Sequence, residues 1–168
     1  KCLKDIGDNK AMKPCPCGYH GDSHADCNCS GDRVAAYRRK ISGPLLDRID
    51  LHVEVLRPTT EQLRSTDPDG ETSAAVRRRV AVARAVQVER AAVCNARLAG
   101  DDFDAACSVD NQCWSILEAA VKRFNLSARA HQRVLRVART IADLAGQKGI
   151  ASEHVAEALS LRCLDRKN

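Results

Sequence analysis

The chain has 168 residues, enough for one domain or two small ones; hydrophobic residues make up 44% but aromatics only 3%, so a core must come from Ala, Val, Leu and Ile, which suits helices. A net charge of +5 permits nucleic-acid contact without establishing it, and the absence of a long apolar run or a signal-peptide pattern argues against a membrane-bound or exported protein. Nine cysteines, an odd number, exclude a complete disulfide framework within one chain and point to cytoplasmic thiols and a metal site.

Lys1–Lys10, KCLKDIGDNK, is polar and gives no element. Cys15-Pro-Cys17 and Cys27-Asn-Cys29 follow, two close pairs with nine residues between them. Four thiolates in two pairs suit tetrahedral Zn²⁺. Gly18, Gly21, Asp22 and Ser23 make a turn-rich link that lets the pairs face each other, and His20 and His24 are spare ligands. With four cysteines no position stays open for substrate, so the site is expected to be structural. Free or oxidised thiols on a loop are the other reading. Asp32–Lys40 is expected to be a short helix with Val34, Ala35 and Tyr37 inward. Its Arg33, Arg38, Arg39 and Lys40 form either a solvated basic face or a DNA contact.

Ile41–Val55, ISGPLLDRIDLHVEV, is the most informative stretch. Ser42, Gly43 and Pro44 break the helix. Leu45 and Leu46 anchor a turn, and Ile49, Leu51, Val53 and Val55 alternate with Asp50, His52 and Glu54. That period of two predicts a strand buried on one face, with Arg48 at its mouth. An arginine held there projects a fixed cation unless Asp47 or Asp50 pairs with it. Residues 58–70, with Pro58, Pro68 and an Asp-Pro-Asp-Gly turn, read as a linker between an N-terminal region, 1–57, and a helical domain, 71–168.

Glu71–Leu98 is expected to be one long helix, capped by Thr72 or Ser73, with an apolar stripe of Val76, Val80 and Ala83. Its arginines 77, 78, 79, 84 and 90 face solvent or DNA. Gly100, Asp101, Asp102 and Asp104 break it. Cys113–Phe124 is a helix capped by Asp110 or Asn111, with Trp114, Leu117 and Val121 on one face. Cys94, Cys107, Cys113 and Cys163 are scattered and read as core residues or free thiols. Asn125–Gly146 is the best-defined helix, with Ala130, Val134, Val137, Ala138, Ile141 and Leu144 on its apolar face and Arg129, Arg136 and Arg139 elsewhere. Ser127 as N-cap puts Arg129 in the first turn, where a cation opposes the helix dipole. An anionic partner relieves that mismatch; a simply exposed arginine tolerates it. A last helix starts at Ser152, with Val155, Ala158 and Leu159 inward, completing a bundle of about four helices.

The stretch around LLDR, together with AMKPCPCGY, NLSARAHQRVLRVARTIADLAG and EHVAEALSLRCLDR, closely resembles the C-terminal portion of magnesium-chelatase-like AAA+ ATPases of the bacterial competence (ComM/YifB) type. The resemblance implies a mainly α fold, namely the end of an AAA+ α/β core with a cysteine-rich loop, followed by a helical-bundle lid. It implies that Arg48 is an arginine finger, acting in trans on ATP and Mg²⁺ held by the neighbouring subunit of a homo-oligomeric ring, a hexamer. It implies that Arg129 is sensor 2, touching nucleotide from the lid, and that the ring is a DNA branch-migration motor in recombination and transformation. Two departures matter. The chain has no GxxxxGK[ST] loop and no acidic strand for Mg²⁺, so by itself it is expected to be inactive as an ATPase and to belong to a longer one. Lys13 stands where the family usually has an asparagine sensor, and an ammonium cannot accept a hydrogen bond from the attacking water. A zinc-stabilised helical module that binds nucleic acid or protein without motor activity is the competing reading. Chelation of Mg²⁺ into tetrapyrroles follows from the family name only.

Overall fold

The computed structural model describes residues 11–22, 25–46, 48–55, 57–64, 70–124 and 126–162. Expectations for Lys1–Lys10, Ser23, His24, Asp47, the turn residues 67–69 and Cys163 lie outside the described residues. The described chain is mainly helical, as its composition suggests, and contains two compact units.

The first unit comprises the described residues of Lys1–Gly43 and Leu56–Pro58. It holds the cysteine loop and helix α1, Gly31–Arg38. Ser30 starts this helix: its Oγ accepts from the Arg33 N–H at 3.4 Å, and Asp32 sits in the first turn, where an anion suits the dipole. Of the three residues expected inward, Val34 is buried and Tyr37 half-buried, but Ala35 is exposed.

The second unit comprises the described residues of Pro44–Val55 and Thr59–Asn168. A short helix α2, Gly43–Leu46, leads to the turn at Arg48, and α3 spans Thr60–Arg64. Then come α4 (Ser73–Ala91), a 3-10 turn (Asn95–Arg97), α5 (Gly100–Ala106), α6 (Asn111–Phe124), α7 (Ala128–Leu144) and α8 (Ser152–Ser160). Helix α7 is central and packs on α8, α4 and the 3-10 turn, while α8 also packs on α6. Leu98, Phe103, Cys107, Cys113, Leu117, Val134, Leu135, Ala138, Ile150, Val155 and Leu159 form one continuous core. Val134 and Val155 are fully buried, each worth about 1.5–3 kcal/mol of apolar burial. Thr72 Oγ1 accepts from Ala75 N–H at 3.2 Å, Asp110 Oδ1 from Cys113 N–H at 2.8 Å, and Ser127 Oγ from Ala130 N–H at 3.1 Å, so the caps of α4, α6 and α7 are those read from sequence.

Four local expectations are corrected. The predicted strand Ile49–Val55 does not form among the described residues. Leu51, Val53 and Val55 are 47%, 67% and 87% exposed, and His52 is the buried member. A period of two makes a strand only where a neighbour supplies the ladder, and the one pairing here is an isolated parallel bridge between His52 and Arg162. The long helix from Glu71 stops at Ala92, which takes a left-handed φ of 56° and donates its N–H to the Val88 carbonyl at 2.8 Å. Its stripe is also displaced: Ala83 and Gln87 are buried, whereas Val80 is exposed. Gly100–Asp104 does not merely break a helix but begins α5, with Asp101 and Asp102 favouring its N-terminal end. On α6 the buried residues are Cys113, Leu117 and Ala120, while Trp114 is exposed on one side and stacks on His131 with ring centroids 5.3 Å apart.

Candidate functional site

The four predicted ligands converge. The Sγ atoms of Cys15, Cys17, Cys27 and Cys29 all lie within 4.8 Å of one another, with Cys15–Cys17 at 3.3 Å, Cys15–Cys27 at 3.7 Å and Cys17–Cys27 at 3.6 Å. Zinc–sulfur bonds of about 2.3 Å in a tetrahedron separate sulfurs by about 3.8 Å, so the donor set fits zinc in number, type and spacing. The fold of the loop supports this. Gly18 and Gly21 take φ of 93° and 85°, turning the chain after the first pair, and the Lys13 stem lies 3.4 Å from where a Cβ on Gly18 would stand. The Gly18 N–H donates to Cys15 Sγ at 3.2 Å, a bond that favours thiolate over thiol.

The cluster's protonation has the same logic. Burial opposes ionisation of Cys15, but hydrogen bonds from the Cys17 thiol, the Gly18 and His20 backbones and the Cys27 thiol outweigh it and bring its pKa down to about 6. At Cys27 a bond from the Cys29 backbone favours the thiolate, but burial and the Cys17 and Cys15 sulfurs push the thiol up to about 11. Cys29 is raised as well: a backbone bond from Cys17 works against burial and the same two sulfurs. The protein alone thus accommodates one negative sulfur and resists more. A divalent cation would remove that resistance, because it neutralises the charge that the sulfurs impose on each other. These four cysteines can hold a metal ion such as zinc.

The two arginines singled out in the sequence are both exposed. Arg48 follows α2, with its N–H bonded to the Leu45 carbonyl at 3.0 Å. Asp50, a candidate partner for it, instead pairs with Arg133 of α7. Arg129 lies in the first turn of α7, directly after the Ser127 cap. Arg139, expected away from the core, is buried at 2% exposure. Its Nη1 and Nη2 donate to the Lys148 and Gln147 carbonyls at 2.8 and 2.7 Å, and its Nε to Asp143 at 3.2 Å. Asp143 also accepts two bonds from Arg90 and one from Asn95. Burial raises the Asp143 pKa, but Arg90, Asn95 and Arg139 more than offset it and hold the carboxyl below its ordinary value. Arg136 donates to the Leu98 carbonyl at 2.9 Å and lies over the Phe103 ring. Sequence reasoning missed the Asp50–Arg133 pair, the Arg139–Asp143–Arg90 cluster and the Trp114–His131 stack. The one local signal was the four-residue spacing of Arg139 and Asp143.

Residues 70–162 match the family model "Magnesium chelatase, subunit ChlI C-terminal", and residues 9–63 match "Magnesium chelatase, subunit ChlI". The chain belongs to the magnesium chelatase ChlI family. Among relatives of this ChlI-family chain, the competence protein ComM of Haemophilus influenzae is 40% identical over 156 residues, covering 93% of this chain and 30% of that protein. The uncharacterized protein YifB of Escherichia coli is 38% identical over the same coverage. An uncharacterized protein of Mycobacterium tuberculosis is 36% identical, covering 90% of this chain and 30% of its own length. The chain therefore spans about 30% of the length of the curated relatives it matches. Among the described residues no helix is long and apolar enough to cross a membrane.

Proposed function

We propose that this chain is the C-terminal portion of a ring-forming AAA+ ATPase that drives branch migration of DNA during recombination and transformation. The observation that carries the reading is the state of Arg48. Arg48 is exposed on the turn that follows α2, it makes no ion pair among the described residues, and the acid two positions on is committed to Arg133. A cation so placed is suited to stabilise charge on a phosphoryl group presented by another protomer. The name of the ComM relative, a competence protein, supports the transformation setting.

In this reading Arg48 acts in trans as the arginine finger, and Arg129 acts in cis as sensor 2. ATP and Mg²⁺ are held by parts of the full-length protein that carry the phosphate-binding loop. The cysteine cluster holds a structural zinc that fixes the loop before α1. Residues 71–168 form the lid, and 58–70 the linker into it. The exposed arginines of α1 and α4 supply the DNA-facing charge.

The test is ATP turnover by the full-length protein carrying Arg48→Ala. The expected outcome is a loss of about 10³-fold or more in turnover, with nucleotide binding retained. Wild-type turnover in that variant overturns the assignment. If this chain alone binds DNA with steep salt dependence while Arg48→Ala leaves the full-length protein fully active, a binding module without motor activity replaces the ATPase reading.

A further inference from the structure

The four clustered cysteines are reactive groups as well as ligands, and their burial is uneven. Cys15 is fully buried, whereas Cys17, Cys27 and Cys29 are half-buried. Of the three sulfurs that lie within 3.7 Å of one another, those of Cys15 and Cys17 are closest, at 3.3 Å. A disulfide needs about 2.05 Å, so about 1.2 Å of approach would join them. The backbone around the pair is set in advance. Pro16 between them fixes one torsion. The Gly18 N–H donates to the Cys15 carbonyl at 3.1 Å and lies 3.2 Å from Cys15 Sγ, which closes the turn. An accessible sulfur with a second one buried behind it is the arrangement of an attacked thiol and its resolving partner. In the second unit Cys107 and Cys113 are buried and so are shielded from a solution oxidant.

The fold gives this pair leverage over the unit around it. Ser30, the cap of α1, follows Cys29 directly. Val34 is the only apolar side chain outside the cluster that the described residues of the first unit bury. Loss of two of the four sulfurs from the site would therefore remove the main hold on α1.

We propose that Cys17 and Cys15 form a hydroperoxide-responsive modification site, at which oxidation to a disulfide dismantles the metal site and releases α1. This rests on the reading of the cluster as a zinc site. A metal-bound cysteine is a thiolate, the nucleophilic form. The Cys17 thiolate attacks one oxygen of hydrogen peroxide. The O–O bond breaks, the sulfur is oxidised to a sulfenic acid, and the other oxygen leaves as hydroxide and is protonated to water. The Cys15 thiolate then attacks the Cys17 sulfur; an S–S bond forms, the S–O bond breaks, and a second hydroxide leaves and is protonated. Two thiolates lose two electrons, and one peroxide takes them up. Two sulfurs are left where a tetrahedral site needs four. A disulfide closed across three residues with a central proline is strained and readily reduced, so the modification reverses.

The experiment treats the purified, zinc-loaded chain with stoichiometric hydrogen peroxide. Zinc release to a chromogenic chelator, disulfide mapping by differential alkylation and mass spectrometry, and amide exchange are followed together. A Cys15–Cys17 disulfide should appear at the rate at which zinc is released, with protection lost in α1 and unchanged in α7 and α8. Dithiothreitol with zinc should restore α1. Cys17→His keeps a set of four ligands, three cysteines and a histidine, but lacks the attacked thiol, so peroxide should release its zinc roughly tenfold or more slowly than from wild type. Retention of zinc while other cysteines are oxidised overturns the site. Release of zinc with Cys27 joined to Cys29, and Cys15 and Cys17 still reduced, overturns the choice of pair. Release from Cys17→His at the wild-type rate overturns Cys17 as the attacked sulfur; should that variant lose its metal, disulfide mapping of wild type decides alone. Absence of zinc from the purified chain, measured before peroxide is added, overturns the zinc reading itself and with it the proposal.

Discussion

Removing the zinc proposed for the cysteine cluster should unfold the first unit and spare the second. Among its described residues the first unit buries only Cys15 and Val34 as apolar side chains, and with Cys15 committed to the cluster only Val34 adds apolar burial, about 1.5–3 kcal/mol. Ordering the described residues between Cys15 and Cys29 opposes this by at least about 13 kcal/mol at the low end of about 1 kcal/mol per residue. The shortfall, on the order of 10 kcal/mol, matches the about 10–16 kcal/mol that a structural zinc site supplies. The second unit has a continuous core from Leu98 to Leu159 and no such deficit. The assay is zinc content of the purified chain, followed by amide exchange before and after a strong chelator. One equivalent of zinc is expected, with protection lost at α1 and the cysteine loop and retained in α7 and α8. Cobalt substitution should give thiolate-to-metal charge-transfer absorption. Because the Cys27 thiol lies at about 11 and Cys29 is also raised, binding at neutral pH must expel protons, and affinity should fall as the solution is acidified. Less than half an equivalent of zinc after chelator-free purification, with α1 protection indifferent to chelation, would refute the reasoning.

The remaining predictions are more local. Arg129→Ala in the full-length protein should weaken nucleotide binding and lower turnover; equilibrium binding of a fluorescent nucleotide checks this, and unchanged affinity and turnover would count against a sensor role. Asp143→Ala leaves Arg139 buried without its carboxylate and should destabilise the second unit by about 3–5 kcal/mol in urea, whereas a loss under about 1 kcal/mol would show that the two guanidiniums find other partners. Asp143 has a folded pKa below its ordinary 3.8, so the unfolded chain binds its proton first as pH falls. Its contribution should be complete above that value and lost as pH drops through the folded pKa, so acid unfolding of wild type and Asp143→Ala should converge at low pH.

What the sequence disclosed and what it hid divide along a physical line. Caps are local: Thr72, Asp110 and Ser127 each bond an N–H three residues on, and each was legible from residue type and position. The cysteine cluster was legible because two short pairs with glycine between them have few ways to lie other than face to face. The helix end at Ala92 was not, since alanine carries no stop signal; the end is imposed by Asn95, whose N–H bonds Gln87 and whose side chain bonds Asp143 and Thr140. Arg139 looked like surface because its partners, Gln147, Lys148 and Asp143, become neighbours only when α7 ends and the chain turns back. A tertiary ion pair such as Arg133–Asp50, 83 residues apart, has no periodicity to announce it.

The stretch from Ile49 to Val55 shows why a correct residue pattern can still give the wrong element. Alternation records which side chains can share a face; it does not supply a neighbouring strand. Here the polar members of the alternation carry the structure. Asp50 takes Arg133, His52 is buried against the end of α8, and the Ile49 carbonyl takes Arg162, while Leu51, Val53 and Val55 are left outward. Those bonds hold the segment to the bundle without occupying its apolar face, and Arg48 just before them is exposed. For a cation to act on a phosphoryl group outside its own chain, it must be both unspent and precisely directed. Among the described residues Arg48 makes no ion pair, and in the proposed reading its direction comes from the contacts made by its successors. If the proposed role of Arg48 holds, Asp50→Asn and Arg133→Gln, which keep the cation and remove the contacts behind it, should lower turnover of the full-length protein; wild-type turnover in both would refute that positioning role.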